Sequence, residues 1–121
     1  MAIDDKFAPD LPGGAVDAMP VPYQVISGDG AITIAAGVVI LTKGSAAAIT
    51  IADPPTNMTG AELKIVSTTA NAHTVTYTAG FGGGTTSRDV ATWGGAINDG
   101  MVIVAYNGVW YVSSTRNVTL G

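Results

Sequence analysis

Between Ala31 and Ala52 the chain reads AITIAAGVVILTKGSAAAITIA, three short apolar runs (31–35, 38–42 and 46–52) broken by Gly37 and by Gly44-Ser45. Isoleucine, valine and threonine dominate, and β-branched side chains suit a pleated, half-buried surface better than a helix. Ile32/Ile34 and Ile49/Ile51 alternate with threonine or alanine, the period of two that a strand needs. A helix over the same residues would need an apolar face at i, i+3 and i+4 and would have to absorb the glycines. This stretch therefore predicts strands, the nucleus of a small all-β domain.

The chain on either side continues in the same manner. Residues 23–27 form an expected first strand, closed by Gly28-Asp29-Gly30. Residues 53–60, with Pro54-Pro55 and Gly60, predict a loop containing one helical turn. Residues 61–67 (AELKIVS) place Leu63 and Ile65 on one face and Glu62 and Lys64 on the other; residues 73–78 (HTVTYT) pair Val75 with Tyr77. After the loop Gly80–Gly84 come a short strand at 89–93 and a turn at 94–100. Residues 101–106 and 109–113 then flank Asn107-Gly108, the pair best able to adopt the positive φ angles of a type I′ hairpin. Residues 118–120 close the series. ITIAAG and ITIADP echo one another, but two copies are too few for a solenoid, and adjacent strands of like composition account for them. Eight or nine short strands with tight turns imply a sandwich or small barrel over residues 23–121.

Residues 1–22 differ in kind. Four of the six prolines lie here (Pro9, Pro12, Pro20, Pro22), which excludes a helix or a central strand. Yet the segment carries spaced apolar residues, Ile3, Phe7, Leu11, Val16, Met19 and Val21, which a solvated linker does not need. It reads as an extended arm that lays single side chains into pockets of a partner molecule.

Composition narrows the function. Charged residues are only 12% of the chain, about half the usual share, against 47% hydrophobic. Much of the surface is therefore neutral and easily desolvated, which favours oligomerisation. The net charge is −4 and the five basic residues (Lys6, Lys43, Lys64, Arg88, Arg116) are scattered, so neither nucleic acid nor an anionic membrane is an expected partner. There is no cysteine, hence no disulfide, zinc thiolate or thiol nucleophile. No stretch is long enough for a transmembrane helix, and the acidic N-terminus does not read as a signal peptide. Asn57-Met58-Thr59 and Asn117-Val118-Thr119 match the glycosylation pattern and are read as chance.

Catalytic equipment is sparse. His73 is the sole histidine and is expected at the surface or a strand edge. No serine sits in a Gly-x-Ser-x-Gly elbow. Asp29, Asp53, Asp89 and Asp99 are spread singly over loops, where turn formation explains them better than calcium binding. Gly80–Gly84 lacks the Lys-Ser/Thr of a phosphate cradle. Trp93, Tyr106 and Trp110, with Tyr111 and Phe81 nearby in sequence, could form a ligand platform, but Trp110 and Tyr111 must point to opposite faces, so at least one belongs to the core. The expectation is no enzyme, no cofactor and no metal.

Residues 30–54 (GAITIAAGVVILTKGSAAAITIADP), 63–76 (LKIVSTTANAHTVT) and 89–120, including DGMVIVAYNGVWYV, resemble the decoration, or cement, proteins of tailed-bacteriophage heads. The resemblance is a texture of strands and turns covering most of the chain after the arm. It implies a compact, β-tulip-like sandwich or barrel of about eight short strands with an extended N-terminal arm. It also implies homotrimers on the exterior of the virion, synthesised in the host cytoplasm and seated where major capsid protein subunits meet, with the arm reaching onto neighbouring capsid subunits. The alternative is a trimeric receptor- or carbohydrate-binding module of a phage tail or fibre.

Overall fold

The chain winds. In the computed structural model, which describes residues 21–84 and 86–121, the first six strands alternate between two sheets: β1 (Tyr23–Ile26), β2 (Gly30–Ile32), β3 (Gly37–Leu41), β4 (Ala48–Ile51), β5 (Glu62–Ser67) and β6 (Thr74–Thr76). Odd strands lie side by side in sheet A and even strands in sheet B, all in parallel. Three coils result. The remaining strands cap the stack with antiparallel pairs: β7 (Val90–Trp93) on β6, β8 (Gly100–Tyr106) on β5, β9 (Val109–Arg116) on β8, and β10 (Val118–Leu120) on β7. Two mixed sheets of five strands face each other, in the orders β1-β3-β5-β8-β9 and β10-β7-β6-β4-β2.

The all-β expectation holds, with ten strands among the described residues where the sequence suggested about eight. The echo of ITIAAG and ITIADP does lie in adjacent strands, β2 and β4, but these belong to a three-coil winding that two copies did not announce. The arm, with Ile3, Phe7, Leu11, Val16 and Met19, lies outside the described residues; Val21, at its end, is exposed.

Alternation fills the space between the sheets. Val39, Leu41, Leu63, Ile65, Met101, Ile103 and Trp110 from sheet A meet Ile32, Ile49, Ile51, Val75, Ala91 and Trp93 from sheet B, all buried. Tyr77 and Phe81 close one side, their rings 5.2 Å apart. Asn107 and Gly108 both have positive φ (50° and 81°), as the two-residue hairpin between β8 and β9 requires. One extra residue, Ser113, enters β9 as a bulge, since Val102 faces Ser114 while Ile103 faces Val112.

The root of the arm is fixed by Gly37. Val38 N–H donates to the Pro22 carbonyl at 3.0 Å, and Gly37, at φ +106°, lies so close that a β-carbon there would strike the Pro22 backbone. Gly37→Ala combines a left-handed backbone with that collision, and is expected to cost about 1–3 kcal/mol. The check is a fall in the urea midpoint at unchanged m-value; an unmoved midpoint would contradict this account of the root.

Candidate functional site

Where the chain turns from sheet A to sheet B, the corners of successive coils stack, and polar side chains stitch them together. Asp29 Oδ1 accepts from Ala48 N–H at 2.9 Å and from Lys43 Nζ at 2.9 Å. The Lys43 ammonium and the Ala48 amide hold the Asp29 carboxyl below the usual carboxylate range. One coil on, Thr69 Oγ1–H and Asn71 Nδ2 donate to the Lys43 carbonyl.

His73, expected at the surface or a strand edge, is fully buried on this corner beside β6, an inner strand of sheet B, which corrects the sequence reading. Its Nδ1 accepts from Ala47 N–H at 3.0 Å, and its Nε2 lies 3.1 Å from Thr69 Oγ1. Because the threonine hydroxyl already donates to Lys43 O, the imidazole is the neutral tautomer with its proton on Nε2. Residues 73, 75 and 77 share one strand face, and Val75 and Tyr77 are core, so alternation carries the histidine inward. Burial pushes its pKa down, with the Lys43 charge assisting. Both nitrogens are thus engaged, Nδ1 with the Ala47 backbone and Nε2 with the Thr69 hydroxyl that itself holds the Lys43 carbonyl.

The other polar candidates also serve the fold. Tyr77 Oη–H donates to Asp53 at 2.6 Å and accepts from Trp110 N–H at 3.3 Å; burial, then the Asp53 bond, raise its pKa to about 12. Buried Asp99 accepts from Ala96 N–H and from Asn117 Nδ2. Trp93 and Trp110 are core, their indole N–H groups donating to the carbonyls of Asp99 and Ala52. Of Trp93, Tyr106 and Trp110 only Tyr106 is exposed, with its ring 6.2 Å from that of Tyr111, which is also exposed; the three residues do not share one exposed surface. Among the described residues no three His, Asp or Glu side chains gather as for a metal ion, and no helix is long and apolar enough to cross a membrane.

The distinctive surface is elsewhere, and the two outward faces of the sandwich differ sharply. Sheet B presents Ala31, Ala48, Thr50, Thr74, Thr76, Val90, Thr92 and Thr119, set in cross-strand rows such as Thr74–Thr92–Thr119. Threonines are the expected dress of a solvated face. Sheet A presents Tyr23 and Val25 from β1, Val38 and Ile40 from β3, Val66 from β5, Val102, Val104 and Tyr106 from β8, and Tyr111 from β9. Tyr23 is 65% and Val25 50% exposed, and Val21 continues their line towards the arm at 64%. Lys64 lies in register with Tyr23 and Val38, and Arg116 with Gly100 and Val66; Glu62 is the one acid in these rows. Lys64, Val66, Gly100, Val102 and Arg116 line a shallow hollow of about 310 Å³.

The sequence reading singled out Val21 for the arm and Tyr106, with Tyr111, for a ligand platform, but not this face as a whole, though a signal was present. β5 and β6 alternate, but β3 (GVVIL) and β8 (GMVIVAY) are apolar almost without a break. Continuous apolar runs belong to strands covered on both faces. In sheet A the inner face packs on sheet B, while among the described residues no element covers the outer one. Compared with known protein families, curated proteins and solved structures, the chain matches none.

Neutral His73 makes stability depend on pH. Its folded-state pKa lies below the ordinary value near 6.5, so the unfolded chain binds the extra proton first, and protonation forces an N–H against Ala47 N–H. Stability is full above about pH 6.5 and falls by up to ~1.4 kcal/mol per pH unit below it. Urea melts at pH 7 and pH 5 check this; His73→Gln, which keeps an acceptor, should flatten the profile over that window. Asp29 contributes only in a separate, more acidic one, below the unfolded carboxylate value, because its folded pKa is lowered.

Proposed function

We propose that this protein is a non-enzymatic structural protein that decorates a protein shell: a homotrimer seated on the exterior of an expanded bacteriophage head, where major capsid protein subunits meet. The observation that carries the reading is the outward face of sheet A, a run of valine, isoleucine and tyrosine on strands patterned for cover on both sides. Such a patch is a protein–protein surface by its chemistry. The side chains able to do acid–base work, His73, Asp53, Tyr77 and Asp99, are engaged with the protein's own backbone and core. Neither nucleic acid nor lipid is a partner on this reading, and no cofactor is required.

The mechanism is clamping. A shell filled with self-repelling DNA is under tension at the joints between capsomers. A trimer that touches several subunits at once adds contacts across those joints, and each touch raises the effective concentration of the next. Individually modest interfaces then suffice. The alternative, a trimeric carbohydrate- or receptor-binding module, loses the platform it needed, because Trp93 and Trp110 lie within the core.

Purified protein mixed with expanded, undecorated shells should give ordered density on their outer surface by electron microscopy. Tyr23→Ser with Val25→Ser should lower occupancy at least tenfold while leaving the melting temperature of the isolated domain close to that of the parent. Bare shells at saturating protein, or glycan binding lost on Tyr106→Ala in their stead, would refute the proposal.

A further inference from the structure

Resting on the reading of the outer face of sheet A as an assembly surface, we propose its occupant: residues 1–20 of a second copy of this chain, so that subunits join head to tail through exchanged arms. The face is apolar but not uniformly so, for two of the four cationic side chains among the described residues, Lys64 and Arg116, stand in its rows. Residues 1–20 have the complementary make-up. They hold four of the chain's nine acidic residues (Asp4, Asp5, Asp10, Asp17) against one lysine, interleaved with Ile3, Phe7, Leu11, Val16 and Met19. An acidic, apolar-studded, proline-bearing segment fits a flat apolar face carrying two cations.

Chain geometry selects another copy over the arm's own body. Pro22 is pinned at the start of β1 by the Val38 amide and the bare Gly37. Pro20 and Pro22 favour extended backbone at the residues that precede them, which disfavours the reversal at the entry to β1 that an arm returning to its own face would need. The first residues that permit a reversal are Gly13-Gly14. A neighbour's face meets the arm without one. Twenty residues reach up to about 66 Å, while the face from β1 to β9 is only four strand spacings, about 19 Å, across. The contact is heterologous, arm to face, and closes as a ring when the rotation permits.

The chain has no cysteine, which makes trapping clean. Asp17→Cys in one tagged copy and Lys64→Cys in another, mixed and treated with a short bismaleimide, should give a cross-linked heterodimer. The double variant at high dilution should give no intramolecular adduct. By light scattering the full chain should be an oligomer, the chain lacking residues 2–20 a monomer with an unchanged circular dichroism spectrum, and Lys64→Glu with Arg116→Glu should weaken association at least tenfold. An intramolecular adduct in the dilute double variant would assign the face to the arm of the same copy and overturn the proposal. An oligomer that survives arm deletion but dissociates on Tyr23→Ser with Val25→Ser would also overturn it, while leaving the assembly face intact. A full-length chain that stays monomeric and binds no shell would sink both.

Discussion

The ladder of polar contacts along the stacked corners, from Asp29 through Lys43 and Ala47 to Thr69 and His73, is what allows parallel strands in so small a domain. A parallel pair needs a crossover, usually a helix; here the crossover is a strand in the opposite sheet, and the chain turns the corner in a few residues. Amides and carbonyls at such corners cannot all join a sheet ladder, and buried ones must find partners. Asp29 and His73 take the amides of Ala48 and Ala47, and Thr69 and Asn71 take the carbonyl of Lys43. At the open end of the first coil Gln24 acts in the same way, donating to Ala31 O and accepting from Thr33 N–H, so one amide side chain bridges the edges of both sheets. Each bond contributes about 1 kcal/mol net, but losing one that leaves a buried partner bare costs about 1–3 kcal/mol.

That requirement determines what the surface is made of. In a chain with only 12% charged residues, those bound to corners are not available outside. Sheet B fills its outward rows with threonine; sheet A fills them with aliphatic and tyrosine side chains. The winding must also be ended, because a coil stack leaves a pairing edge on its last strand. β8 and β7 end it by running antiparallel to β5 and β6, and β9 extends sheet A to an outer edge broken by the bulge at Ser113. A kinked edge discourages further sheet pairing. What remains adhesive is therefore the face of sheet A rather than its rim.

Strand positions were legible in the sequence because alternation is local: Leu63/Ile65, Val75/Tyr77 and the Asn107-Gly108 hairpin all lie where their pattern puts them. Strand order was not, since parallel and antiparallel neighbours share the same period of two. The echo also misled by two residues, for Ile32 pairs with Ile51 rather than Ile49, and the third coil replaces the motif with Thr74-Val75-Thr76-Tyr77. His73 looked exposed because its sequence neighbours, Ala72 and Thr74, carry no partner for it. Its hydrogen bonds come from Ala47 and Thr69, which only the winding brings near. The apolar outer face of sheet A was written in the unbroken runs of β3 and β8, a signal that asks what covers the second side.

A sheet with one apolar face exposed carries a risk, and the composition limits how it is managed. Bulged edges and surface charge are the usual protections against indiscriminate association, and a net charge of −4 with most acids outside sheet A leaves that face little guarded. Specific cover by a defined partner is then the physical remedy. Cover supplied by another molecule ties burial of Tyr23, Val25 and Ile40 to protein concentration, because only the associated state gains from it. On the proposed reading, such a chain carries its corners and core within one copy and leaves completion of one face to assembly. This matches the demands on a part that must fold alone and hold only in an array, where many modest contacts act together.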